Sequence, residues 1–174
     1  MATAAERVEA LTRTIADFPR PGVAFRDLTP VLADAGAFAA AVESLVGPFA
    51  GGYDVVAGIE ARGFAFAAAA AGLTGTGLVL LRKAGRLPGE THGVDYALEY
   101  GTDRLEMHVD QVPAATRVLV VDDVLATGGT LAAAAELVER AGCTVAGLAV
   151  VLELAGLGGR DRLAPRDVHA VVPA

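Results

Sequence analysis

Apolar residues along this chain follow two rhythms. In "TAAERVEALTRTI" (3–15), "GAFAAAVESLVGPF" (36–49), "GFAFAAAAAG" (63–72) and "TLAAAAELVERAG" (130–142) they fall at helical spacing. Gly47-Pro48 stops the second of these helices and Gly72 closes the third. By contrast, "YDVVAGI" (53–59), "GLVLLR" (77–82), "RVLVVDD" (117–123) and "TVAGLAVVLEL" (144–154) are short apolar runs bounded by turns, and "DVHAVVP" (167–173) adds a fifth. Unbroken apolar strands alternating with helices predict an α/β fold, a parallel sheet covered by helices on both faces.

Two segments break the alternation. "FPRPGVAFRDLTPVL" (18–32) carries three prolines and a glycine, so it reads as loop or extended chain. Residues 83–110 are polar and contain two partly alternating stretches, "VDYALEY" and "DRLEMHV", joined by "GT". That pattern predicts a hairpin projecting from the core, preceded by a loop too polar to pack. The cations at its base, "RKAGR" (82–86), favour a lid over a disordered insert.

Composition narrows the function. A length of 174 residues fits a single domain spanning 1–174, with neither repeat nor linker. No apolar run reaches the ~20 residues of a membrane span, and the N-terminus lacks a secretory pattern, so a cytoplasmic protein is expected. A net charge of −7 argues against a nucleic-acid polymer or a membrane as partner. The one cysteine, Cys143, excludes an internal disulfide and reads as a buried thiol.

The stretch "VLVVDDVLATGGT" (118–130) carries the chemistry. Ligands of an open parallel sheet sit beyond the carboxyl ends of its strands, where Asp122 and Asp123 emerge. Both acids reach one ligand only if the chain leaves strand geometry there. Gly128 and Gly129 then let the backbone wrap an anion at a helix N-terminus. Carboxylates beside a phosphate cradle imply hydroxyls or a metal between them, and a ribose phosphate has both features.

In this order the residues resemble the phosphoribosyl pyrophosphate motif of the type I phosphoribosyltransferases. The similarity is to the adenine-using branch, across almost the whole chain: "FPRPGVAFRDLTPVL" matches its hood, "GIEARGF" its pyrophosphate loop, "LRKAGRLPGET" its flexible loop and "YALEYGTDRLEMHVD" its hairpin. The resemblance implies that fold, with a hood at about 1–32 and a flexible loop and hairpin at about 83–110. It implies transfer of a phosphoribosyl group from phosphoribosyl pyrophosphate to adenine, giving AMP, with Mg2+ held mainly by substrate rather than by protein ligands, in a homodimer. Asp122 and Asp123 would bind ribose, and Ala126, Thr127, Gly128, Gly129 and Thr130 the 5′-phosphate. Glu60, Ala61 and Arg62, with a cis Glu60–Ala61 peptide, would meet pyrophosphate, together with Arg82, Lys83 and Arg86, of which one or more would act across the dimer interface. Phe25 would stack on adenine, with backbone groups of Ala24 and Arg26 reading its edge. Glu99 and Arg62 would be catalytic, and Tyr100 would close with the lid.

Plainer readings compete with several of these. Phe25 could be core, Arg62 a surface cap or pair, and Glu99 an exposed hairpin acid. Asp27 and Glu90 read as solvated or structural ion-pair residues, and His92, His108 and His169 lack metal-ligand spacing. Ala24 stands where the family usually has a larger aliphatic residue. The related families that use hypoxanthine or guanine carry an acid at the place of Ala126 and a late lysine for the oxo group; this chain resembles them in neither, having no lysine after Lys83, which favours a 6-amino purine. The alternatives are a xanthine- or other purine-using transferase, and a regulator of the same fold that senses phosphoribosyl pyrophosphate and binds nucleic acid.

Overall fold

The computed structural model describes residues 2–97 and 101–174. Helix α1 (Ala4–Leu11) opens on a capping box, in which the Thr3 hydroxyl accepts from the Glu6 N–H and the Glu6 carboxylate from the Thr3 N–H. It ends four residues earlier than its pattern predicts, because Thr12 turns extended and Arg13–Ala16 form a strand, β1. β1 pairs antiparallel with β2 (Ala24–Asp27), inside the segment read as loop or extended chain. Asp27 ties the pair together: buried, it accepts from Arg13 at 2.7 Å and from the N–H and hydroxyl of Thr29 at the start of α2 (Thr29–Ala33). These bonds from Thr29 and Arg13 hold its carboxyl below the usual range.

The main body alternates as the pattern predicts. Helix α3 (Ala35–Val46) leads through a 3₁₀ turn, Gly47–Phe49, to strand β3 (Val55–Ile59), helix α4 (Gly63–Thr74) and strand β4 (Gly77–Lys83). Helix α4 runs past Gly72 and closes at Gly75, which adopts the left-handed conformation (φ 68°) that a C-terminal cap requires. After strands β5 (Thr91–Ala97) and β6 (Thr102–His108) come β7 (Arg117–Leu125), α5 (Gly129–Arg140), β8 (Thr144–Glu153), a short helix α6 (Gly159–Leu163) with no sequence forecast, and β9 (Val168–Val172).

Seven strands lie in the order β5-β6-β4-β3-β7-β8-β9. The run from β4 to β9 is parallel, and β6 and β5 extend it antiparallel. Successive residues of the central strands feed opposite layers. Val55, Ala57, Val118 and Val120 join one core with α5, whereas Val56, Leu119 and Val121 join a second with α3 and α4. This two-sided burial is why the strands read as unbroken apolar runs.

The hairpin corrects the expectation of a projecting lid. β6 pairs with β4 through Arg82↔Glu106 and Lys83↔Leu105, and Val94, Tyr96, Leu105 and Met107 are buried in the core with α5. Alternation that looked partial in sequence places these four on one inward face. The loop between β4 and β5 is short, and its base is fastened by Gly85 N–H donating to Glu106 Oε2 at 3.0 Å.

His169 in β9 is half-buried, and its Nε2 is buried without a hydrogen-bond partner. Burial pushes the imidazole below its ordinary value, against a hydrogen bond with the Ser44 backbone. The unfolded chain therefore takes up this proton first. Its contribution to stability is complete above about pH 6.5 and is lost as pH falls through the lower folded value. Chemical denaturation across this range should show His169→Gln less sensitive to acid than the native protein. An identical pH dependence would contradict the reading.

Candidate active site

The chain passes from β3 through α4 to β4 on one side, then returns to form β7 on the other side of β3. The carboxyl ends of β3 and β7 thus flank a topological switch point, where an open α/β sheet leaves a crevice. A cavity of about 320 Å³ opens there, walled by Glu60, Ala61 and Arg62 after β3, Lys83 and Tyr96 from β4 and β5, Asp122, Asp123, Val124 and Ala126 from β7 and the loop after it, and Thr130 from the start of α5. A smaller hollow of about 70 Å³ is enclosed by residues 124–131 themselves, including Thr127, Gly128 and Gly129.

The two acids enter this crevice without leaving the strand, contrary to expectation. β3 stops pairing at Gly58↔Val121, while β7 stays on β8 through Asp122↔Val150 and Leu125↔Glu153. β7 therefore overhangs its neighbour, so both carboxylates can line the cavity. Asp122 lies against the first turn of α4, where a Cβ on Gly63 would come within 2.9 Å of both Asp122 Oδ1 and the Val121 carbonyl. Only glycine permits that approach. Asp123 instead accepts from Arg62 Nε. Burial, and then the neighbouring charge of Asp123, push the Asp122 carboxyl well above its ordinary value.

Glu60 organises the opposite wall across a cis Glu60–Ala61 peptide. It accepts from the Lys83 N–H at 2.9 Å and from the Arg82 guanidinium at 3.3 and 3.4 Å. Burial would raise its carboxyl, but these donors hold it below the usual range. Arg82 also donates to the Arg86 carbonyl at 3.0 Å, so it braces the loop base rather than walling the cavity. Arg86 is exposed and likewise stands off the wall. Lys83 lines the cavity with its Nζ bonded to Asp103.

At the loop after β7, Gly128 has φ 78°, and a Cβ there would lie 2.7 Å from the Gly159 carbonyl. Position 128 thus needs glycine twice over, for conformation and for space. α5 begins at the next residue, so its first turn, with N–H groups that no helix carbonyl takes, lines the small hollow. In the hood, the half-buried Phe25 ring lies 5.5 Å from the Arg62 guanidinium carbon and meets Phe18 edge-on at 5.1 Å. Ala24, Phe25 and Arg26 line neither cavity, and Arg26 donates to Glu9 at 2.6 Å. Glu99 and Tyr100 lie outside the described residues.

Comparison with known proteins gives the family. Residues 29–172 match the model of the phosphoribosyl transferase domain. The adenine phosphoribosyltransferase of Renibacterium salmoninarum is 56% identical over 167 residues, which cover 96% of this chain and 92% of that protein. The chain belongs to the adenine phosphoribosyltransferase family. The crystal structure of the Rhodothermus marinus family member superimposes with a TM-score of 0.92 at 46% identity, covering 98% of each chain. That of the Saccharomyces cerevisiae member, complexed with an imino-altritol bisphosphate and adenine, gives 0.91 at 35% identity, over 97% of this chain and 98% of that one. This establishes the type I phosphoribosyltransferase fold. Two polar residues at this crevice escaped sequence reasoning: Tyr96 on its wall, and Asp103, which accepts from the Tyr96 hydroxyl. Both sit in the hairpin, and their only sequence signal was its alternation.

Proposed function

We infer that the protein transfers the phosphoribosyl group of phosphoribosyl pyrophosphate to adenine, releasing pyrophosphate and forming AMP in purine salvage. The observation that carries this reading is the meeting of the 122–130 strand and loop with Glu60, Ala61 and Arg62 in one crevice, in a chain of this family. In the reaction a ring nitrogen of adenine attacks the anomeric carbon, the bond from that carbon to the pyrophosphate oxygen breaks, and the nitrogen's proton is released.

Each step has a group suited to it. The N–H groups at the start of α5 and the Ala126–Thr130 loop take the 5′-phosphate. Asp122 and Asp123 accept the ribose hydroxyls. Arg62, whose Nε is held by Asp123, offers its remaining N–H groups to pyrophosphate beside Glu60 and Ala61, and Lys83, Arg82 and Arg86 add positive charge. Phe25, carried on the hood of residues 1–32, stacks on adenine, while Ala24 and Arg26 read its edge through their backbone. Glu99 handles the departing proton, and Tyr100 comes with it.

Magnesium fits this donor set. Asp122 and Asp123 would offer hard oxygens near it, and, with no three His, Cys, Asp or Glu converging on one point among the described residues, the ion would be held mainly by the substrate's oxygens. Bound there, the ion would neutralise charge on the leaving group. No helix among the described residues is long and apolar enough to cross a membrane. The net charge of −7 fits a protein without a nucleic-acid partner, and the exposed Arg86 suits a homodimer in which a loop cation reaches the partner's site. Pyrophosphate release should require adenine, phosphoribosyl pyrophosphate and magnesium together. Equal release without adenine would mark hydrolysis and overturn the reading.

A further inference from the structure

Asp103 lies just behind the cavity wall and collects three donors. Lys83 Nζ and the Tyr96 hydroxyl, the latter at 3.2 Å, both reach Oδ2, and the Arg104 N–H reaches Oδ1 at 2.8 Å. The sheet sets this up. Tyr96 and Asp103 are direct cross-strand partners and so share a face. Lys83 is paired with Leu105, two residues along the same strand, which brings it to that face as well. Tyr96 also shares the cavity wall with Thr130, at the start of α5. Lys83, Tyr96 and Thr130 all line the cavity, and Asp103 joins the first two from behind its wall.

We propose that Asp103 is a positioning residue, which fixes Lys83 against the cavity wall so that its ammonium is already in place when the pyrophosphate of the substrate arrives. The inference rests on the reading of Lys83 as a pyrophosphate ligand. A lysine ammonium on a four-carbon stem is a mobile point charge with three donors. Asp103 engages it from the side away from solvent: the carboxylate is about one-fifth exposed and the lysine about one-half. One donor thus anchors the side chain, and the ordering cost of the long stem is met before binding. The hydrogen bond to Asp103 also keeps the ammonium protonated, raising its affinity for a proton above the ordinary lysine value. Asp103 faces the Tyr96 hydroxyl and Lys83, with the next charges along its own strand those of Arg104 and Glu106, which pair with each other at 3.4 Å.

The test is a double-mutant cycle on Lys83 and Asp103, read as separate kcat and KM values. Asp103→Asn should raise the KM for phosphoribosyl pyrophosphate about tenfold, the scale of a charge-assisted hydrogen bond. Both kcat and the KM for adenine should stay within about twofold. Asp103→Glu, which keeps the charge, should recover most of the loss, and on a Lys83→Ala background Asp103→Asn should have no further effect. If Lys83→Ala weakens binding of phosphoribosyl pyrophosphate while Asp103→Asn does not, Asp103 has no positioning role and the pyrophosphate reading survives. If Lys83→Ala leaves that binding unchanged, both fail together. Equal losses in all parameters with a lowered melting temperature, unrelieved by Asp103→Glu, would make Asp103 a purely structural residue and overturn the proposal.

Discussion

Replacing Asp122 and Asp123 together by asparagine should lower kcat/KM by roughly 10²–10⁴ while leaving the protein folded. The estimate takes each carboxylate–hydroxyl contact as a hydrogen bond to a charged group, on the order of 1.5–3 kcal/mol. Stability should move the other way. Asp122 is buried beneath Gly63 beside a second carboxylate, and its folded-state affinity for a proton is raised by that burial and by Asp123. A raised carboxyl contributes stability below its unfolded value that is lost as pH rises through the folded one, so at neutral pH it weighs against the fold. Asparagine removes the cost at equal size. Asp122→Asn alone should therefore melt no lower than the native protein at pH 7 and should show a flatter dependence of stability on pH above about 4. Activity near the native level in the double variant would remove both acids from the ribose site. A collapse of the fold would show that they hold the strand end rather than the substrate.

The second large effect is expected at Glu99, a position assigned through family resemblance. If Glu99 exchanges a proton with the purine ring during attack, Glu99→Gln keeps its size and reach but loses proton transfer. General acid–base groups contribute typically ~10²–10⁴ in rate, so turnover should fall by that order. Direct binding of phosphoribosyl pyrophosphate should barely change, since its proposed contacts lie at residues 60–62, 82–86 and 122–130. An ordinary surface acid predicts otherwise, with stability altered by under ~0.5 kcal/mol and turnover hardly at all. A fall of less than about threefold would move Glu99 from catalysis to the surface. A large loss of phosphoribosyl pyrophosphate binding would show that it supports the sugar-phosphate site instead.

What the sequence discloses, and what it hides, follows from the range of the interactions involved. The five parallel strands were legible because two-sided burial demands apolar residues at every position, and Val118–Val121 display that without reference to any partner. The loop after β7 was legible for a similar reason, since Gly128 meets a local need for positive φ. The path of β7 was not. Asp122 and Asp123 remain in a strand because β3 ends first, and the relative length of neighbours is a property of the sheet. Likewise β1 and β2 exist through each other: four residues of mixed character become a strand only when Arg13 meets Asp27. The hairpin was read correctly as a pair but given the wrong surroundings, because "VDYALEY" does not reveal that its inward residues meet α5. Ala24, Phe25 and Arg26 pose the converse case. Family resemblance gives them a ligand, while the structure sets Phe25 against Arg62 beside the crevice and leaves all three off its walls.

The most direct test is a steady-state comparison of adenine, hypoxanthine, guanine and xanthine with saturating phosphoribosyl pyrophosphate and magnesium, following nucleotide formation for each. Ala126 leaves no acid in the phosphate loop, and no lysine follows Lys83 to meet an oxo group. A site that must satisfy a specific exocyclic group rejects the analogue lacking it by factors of about 10⁴–10⁵ where buried polar groups are left unpaired. The account predicts AMP as the product, with kcat/KM for adenine at least about 10³-fold above that for any of the three oxopurines. Comparable efficiency with an oxopurine, or no nucleotide from adenine in a folded protein, would contradict it.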